Sequence, residues 1–99
     1  MASYYFRNTG NTDWGTATNW SLTDGGLATG LVPTASDDAF FSNNSGNCVT
    51  NAPSKVCLNL DFTQGTGFVG SFQNSNGLTI GGNITLNGAM TYSGTGTLN

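Results

Sequence analysis

The sequence predicts an all-β fold: a short parallel β-solenoid with an irregular aromatic N-terminal cap, one domain in 99 residues. Three observations predict it. Gly, Thr, Asn and Ser supply 52 of the 99 residues (15, 15, 13 and 9), a composition of strand-favouring Thr and turn-forming Gly and Asn. Charged residues make only 7% of the chain and Glu and His are absent, so the usual helix formers are nearly missing. Residues 78–99 repeat in sixes: Leu78, Ile84, Met90 and Gly96 open each unit. Thr79, Thr85, Thr91 and Thr97 follow, then apolar Ile80, Leu86, Tyr92 and Leu98, with Gly82, Gly88 and Gly94 at position five.

The elements follow in order. A strand is expected at about residues 3–7, where Tyr4 and Phe6 share one face and Tyr5 the other. An irregular wrapping segment with turns at Asn8–Gly10, Asp24–Gly26 and Pro33 follows, and residues 1–46 are read as the N-terminal strand and cap. Residues 38–42 are strand. Residues 47–99 are read as the rungs, with strands at 47–50, 55–62, 67–72, 78–80, 83–86, 89–92 and 97–98. In the longest of these Leu58, Leu60 and Phe62 alternate with Asn59 and Asp61, a period of two that puts one face inward.

The hexads admit two architectures. Asn87-Gly88 is a strong hairpin signal, and an antiparallel β-sandwich is the alternative fold. But a two-residue turn there pairs Leu86 with Ala89 and Ile84 with Thr91. Ile84 and Leu86 would then lie opposite Met90 and Tyr92, splitting the apolar set. A parallel solenoid, with one strand and one corner per unit, points the apolar pair inward each time.

The order Trp14, Asn19-Trp20-Ser21, Gly25-Gly26, Pro33, then Asp37-Asp38-Ala39 and Phe41 resembles the opening of bacterial autotransporter-type passengers and related phage-encoded surface proteins. The resemblance runs over nearly the whole chain and implies Thr/Gly/Asn-rich rungs of a right-handed parallel β-helix. It speaks to architecture, not activity. The start, Met1–Arg7, has no basic segment leading into an apolar one, so no signal peptide is read. A short chain without a leader or a membrane barrel is closer to a phage virion component, or to a piece of something longer.

Composition excludes several functions. Two cations, Arg7 and Lys55, cannot neutralise a row of phosphates, so no nucleic-acid partner is expected. No apolar run is long enough to insert in a membrane. No histidine is available as base or ligand, and no catalytic, metal or cofactor site is expected; the chain is read as a non-enzyme. Asp37-Asp38 is the only carboxylate pair, but neighbours on a strand face opposite ways, so capping the Pro33–Ser36 turn is its expected role.

Three residue sets remain. Cys48 and Cys57 either form a disulfide across a turn at 51–54 or are two buried thiols. Trp14 and Trp20 either plug the open end of the core or stack on a sugar ring. Tyr4, Tyr5 and Phe6 at one end, and Thr97 and Leu98 at the other, are candidate assembly edges, because the repeat is still running at Leu98. The expected function is a self-associating structural or surface protein: a virion decoration, fibre or spike segment, or a filament subunit. A carbohydrate-binding or adhesive module is the alternative. The expected partners are further copies of the chain (a trimer or an end-to-end stack), a capsid or tail protein, and a glycan, at a virion or extracellular surface.

Overall fold

A computed structural model describes residues 2–50, 55–94, 96 and 98. The fold is all-β with no α-helix among these residues. Ten strands form: β1 (Ser3–Phe6), β2 (Trp20–Ser21), β3 (Asp38–Ser42), β4 (Cys48–Thr50), β5 (Lys55–Cys57), β6 (Leu60–Gln64), β7 (Ser71–Asn74), β8 (Leu78–Ile80), β9 (Ile84–Thr85) and β10 (Thr91–Ser93). One 3-10 turn, Ala17–Asn19, leads into β2.

Three sheets share the strands, in the orders β2-β1-β3-β6-β9, β10-β7-β4 and β5-β8. From β3 onward the chain visits the three sheets in rotation: β3, β4, β5, then β6, β7, β8, then β9, β10 and a bridge from Leu98 to Leu78. Every pairing between these strands is parallel, and only β1–β2 is antiparallel. Equivalent positions stack in columns: Ala39, Leu60, Ile84; Cys48, Phe72, Tyr92; Lys55, Leu78, Leu98.

The antiparallel sandwich is therefore not formed. Asn87-Gly88 closes a local turn, with Met90 N–H donating to Asn87 O, yet the strands on either side, β9 and β10, go to different sheets. Each of the first three hexads carries one strand: β8, β9 and β10. A hexad's stacked equivalent lies not one unit but about a full turn of chain away, as with Leu78 and Leu98. The columns also begin with β1 and β3, ahead of residue 47.

The expected strand 55–62 is two strands, β5 and β6, because the chain turns a corner at Leu58-Asn59. The period of two is real only in β6, where Leu60 and Phe62 are buried. Backbone groups at a corner lose their ladder partners and need others. Asn side chains supply them. Asn59 Nδ2 donates to Asp38 Oδ1 at 2.8 Å, and Asn59 Oδ1 accepts the N–H of Asn83 at 2.8 Å. Asp38, Asn59 and Asn83 each precede the same column position, so they form a polar ladder along the stack. Asn47 accepts the N–H of Ser71 and Asn43 that of Thr66 in the same way. This use of side chain on backbone explains the Asn-rich composition.

The interior is aromatic. Phe6, Trp14, Trp20, Phe41, Phe62, Phe68 and Phe72 are completely buried, with Leu60 and Leu78 beside them. Most ring pairs meet edge-to-face or tilted, at centroid separations of 4.9–6.1 Å, the arrangement the ring quadrupole favours.

Candidate assembly site

The two ends of the stack differ. At the N-terminal end the wrapping segment covers the strand edges. β2 pairs with the outer edge of β1, and Ser21 bridges to Ala28 beyond it. Over the second sheet, Asp13 bridges β4: Trp14 N–H donates to Val49 O at 3.0 Å, and Val49 N–H to Thr12 O at 2.7 Å. Arg7 ties the segment down, with Nε donating to Gly26 O and Nη1 to Thr18 O. The buried Asn19 completes it, donating to Asp13 O and Asn11 Oδ1 and accepting from Thr9 Oγ1.

At the C-terminal end β9 and β10 are the last strands of their sheets, and among the described residues nothing pairs with their outer edges. Ile84, Leu86, Tyr92 and Leu98 are exposed there; Leu86 and Leu98 are 57% and 44% accessible. Only the first hexad buries its leading residue, Leu78, while Ile80 is half-buried. Of the inward-pointing apolar residues expected of the later units, Met90 is half-buried against the core, while Ile84, Leu86 and Tyr92 are exposed because among the described residues no layer covers them. Thr79, Thr85 and Thr91 face outward as expected. No charged residue lies between 62 and 99.

The structure places the other expected residues as follows. Tyr4 and Phe6 are buried, and β1 has a neighbour on each side, so β1 is an interior strand rather than an assembly edge. Tyr5 faces out against Phe40, edge-to-face at 5.2 Å. Leu98 lies on the open end, and Thr97 is outside the described residues. Trp14 and Trp20 pack on each other at 4.9 Å and on Phe41, with no accessible surface. A buried ring offers no face to a sugar, so neither can serve as a stacking platform.

The two indoles differ in one respect. Trp20 Nε1 donates to Trp14 O at 2.8 Å, whereas the buried Trp14 Nε1 has no hydrogen-bond partner among the described residues. Trp20→Phe leaves a buried carbonyl unmet; Trp14→Phe removes a donor that was already unmet. Trp20→Phe is expected to cost about 1–2 kcal/mol more than Trp14→Phe in denaturant unfolding; equal losses would contradict this.

Cys48 and Cys57 are free and buried, on strands of two different sheets. They are not opposed across a hairpin; residues 51–54, where a turn was expected, lie outside the described residues. Burial, with Asp13 nearby, raises the Cys48 thiol well above its ordinary value. Burial, with Asp38 nearby, pushes Cys57 up to about 12. Both are therefore protonated at neutral pH and poor nucleophiles. Neither is expected to react with a thiol reagent until the protein is unfolded, and prompt modification of the native protein would refute their burial.

Asp37 caps the turn before β3. Its Oδ2 accepts the N–H and hydroxyl of Thr34, and its Oδ1 the N–H of Ala2, all at 2.9 Å. Burial is the largest single influence and pushes its pKa up. The N–H groups of Thr34 and Ala2 and the Thr34 hydroxyl, with the positive N-terminus, together outweigh it and hold the pKa below the usual carboxylate value. A carboxyl depressed in the folded state stabilises above its unfolded pKa and loses that contribution as pH falls through the folded value. Asp37→Asn is thus expected to be less stable than the parent at neutral pH, with the gap closing in acid. A gap independent of pH would contradict the assignment.

No group of three His, Cys, Asp or Glu among the described residues could hold a metal. The clefts are shallow and polar, one of about 260 Å³ at Arg7, Asn8, Gly25, Gly26 and Asn44, another of about 290 Å³ over Asp38, Phe40, Asn59, Asp61 and Asn83. The carboxylate of Asp61 in the latter is engaged locally by Thr63 and Gln64. Among the described residues no helix is long and apolar enough to cross a membrane. The N-terminal cap was expected from the sequence, but its pairing with strand edges through β2 and residues 12–14 was not: a two-residue strand and a single bridge leave no periodicity. No family model, curated protein or solved structure matches the chain.

Proposed function

We propose that this chain is a non-enzymatic structural module, a short parallel β-solenoid closed by its N-terminal segment, that self-associates as a component of a virion or another extracellular surface. One observation carries the reading: the chain visits three sheets in a fixed rotation with every successive pairing parallel. Such a stack has stiffness along its axis and ends that invite further β-pairing. Its sparse charge fits the same reading, because like charges repeated along a column would repel. The resemblance of Trp14–Phe41 to the opening of autotransporter-type passengers and phage surface proteins supports the setting.

With both tryptophans buried, a sugar-binding role would rest on exposed tyrosine alone, of which Tyr92 is the example. The test is the mass of the purified protein by size-exclusion chromatography with light scattering, alongside electron microscopy of the particle that carries it. Species larger than the 10.2 kDa monomer are expected; a strict monomer at all concentrations would overturn self-association.

A further inference from the structure

We infer that the C-terminal end of the stack docks on the same end of a second copy, across a two-fold axis, giving a closed dimer rather than a filament. This rests on the self-association proposed above and names its partner and symmetry.

Three observations lead to it. First, among the described residues the strand edges of the first two sheets are open at the C-terminal end only. A head-to-tail contact built on β-pairing needs matching open edges at both ends, and at the N-terminal end β2, Ala28 and Asp13 already occupy those of two sheets, leaving only the edge of β5. Two C-terminal ends can meet edge to edge, since a two-fold contact uses the same patch twice. The coils of two copies related in this way run in opposite senses, so the strands that meet are antiparallel, a pairing at least as favourable as parallel.

Second, the strands at the open edge carry no charged side chain, the nearest being Asp61 one strand in, beside Thr85. Monomeric β-proteins commonly protect such edges with charge, but residues 62–99 contain no Asp, Glu, Lys or Arg. The acidic side chains of the net −3 chain all lie at or before Asp61. A surface that meets its own copy faces like against like, and a charge-free one does so without repulsion.

Third, the size is adequate. The molecule measures 30 × 27 × 24 Å, so an end face covers on the order of 600–800 Å², close to the ~800 Å² per partner of a standard interface. Ile84, Leu86, Tyr92 and Leu98 provide its apolar part.

The test combines mass, substitution and hydrogen exchange on the whole chain. The parent is expected at twice the 10.2 kDa chain mass, with no larger species as concentration rises. Leu86→Lys and Thr91→Lys each add a charge to the last turn, so that the proposed dimer brings two like charges to its contact, and each is expected to raise the dissociation constant about 100-fold. Both positions are exposed, and unchanged emission from Trp14 and Trp20, buried in the interior, reports that the variants fold. Leu27→Ser, at the exposed tip of the N-terminal segment, is expected to leave the dimer unchanged. Amides of β9 and β10 should exchange slowly in the dimer and quickly in the lysine variants.

An open-ended polymer, a trimer, or loss of assembly in Leu27→Ser would overturn the two-fold proposal while leaving self-association standing. A monomeric parent would overturn both. If its β9 and β10 amides were nevertheless protected, the end would be covered by the chain itself.

Discussion

Phe41→Ala is expected to remove most of the stability of the protein. Phe41 is completely buried on β3 and touches six other aromatic rings: Phe6, Trp14, Trp20, Phe62, Phe68 and Phe72, at 4.9–6.0 Å. It joins the N-terminal segment, through Trp14 and Trp20, to the second turn of the stack, through Phe62 and Phe72. Truncating such a ring costs about 3–5 kcal/mol, and more where a rigid surround cannot collapse. A domain of this size has only about 5–15 kcal/mol in total. A fall of about 15–30 °C in Tm is expected by circular dichroism. The neighbouring Phe40 supplies the control. It points to the other side of the same strand, is half-buried and meets only the ring of Tyr5, so Phe40→Ala is expected to cost about a third as much. Equal losses would mean that β3 does not have the inside and outside described.

The second large effect is expected at Asn74, a completely buried amide at the end of β7. Its Oδ1 accepts from Thr50 Oγ1 at 2.9 Å and from Gly77 N–H at 3.0 Å; its Nδ2 donates to Tyr92 OH at 3.2 Å. One carboxamide thus ties β4, β7 and β10 together. Gly94 depends on the same place: its φ is +106°, and a Cβ there would run into the backbone of Asn74. Asn74→Leu keeps the volume but leaves the Thr50 hydroxyl and the Gly77 N–H buried without their acceptor, a cost of about 3–4 kcal/mol at roughly 1–3 kcal/mol per orphaned group. The damage should be local first. The third turn, β9 and β10, is held by short pairings and is expected to lose hydrogen-exchange protection before the aromatic core does. The open end would go with it, so Asn74→Leu should also weaken self-association. Uniform loss of protection across the chain would contradict a separable last turn.

Neither the central packing of Phe41 nor the burial of Asn74 can be read from the sequence, and the reasons differ. Phe40-Phe41 reads correctly as strand, but which of the two faces inward depends on contacts with residues far along the chain. Asn74 lies in an Asn/Ser-rich stretch whose composition reads as turn, and only the fold reveals that it is buried. The hexads were legible because Thr and the apolar residues keep their spacing through local strand geometry. The full turn was not, because from β3 onward stacked positions lie 20 to 24 residues apart: Ala39 to Leu60 is 21, Leu60 to Ile84 is 24 and Leu78 to Leu98 is 20. Corners of different length absorb the variation, so no fixed period survives. Alternation misled at Leu58, where a corner fell inside an apparently continuous strand. The candidate site was legible at Leu98 and not at Tyr4 or Phe6, because the two-residue strand that covers β1 carries no pattern of its own. Trp14 and Trp20 were conspicuous, but only packing distinguishes a buried cap from an exposed platform.

The stacked parallel columns underlie everything proposed here, since without them there is no open end to dock. Nuclear Overhauser contacts between backbone protons on neighbouring strands test them most directly. The account predicts contacts linking Cys48 to Phe72 and Phe72 to Tyr92, and Leu60 to Ile84, all in parallel register. Contacts pairing Leu86 with Ala89 and Thr85 with Met90, the pattern of a hairpin at Asn87-Gly88, would contradict it.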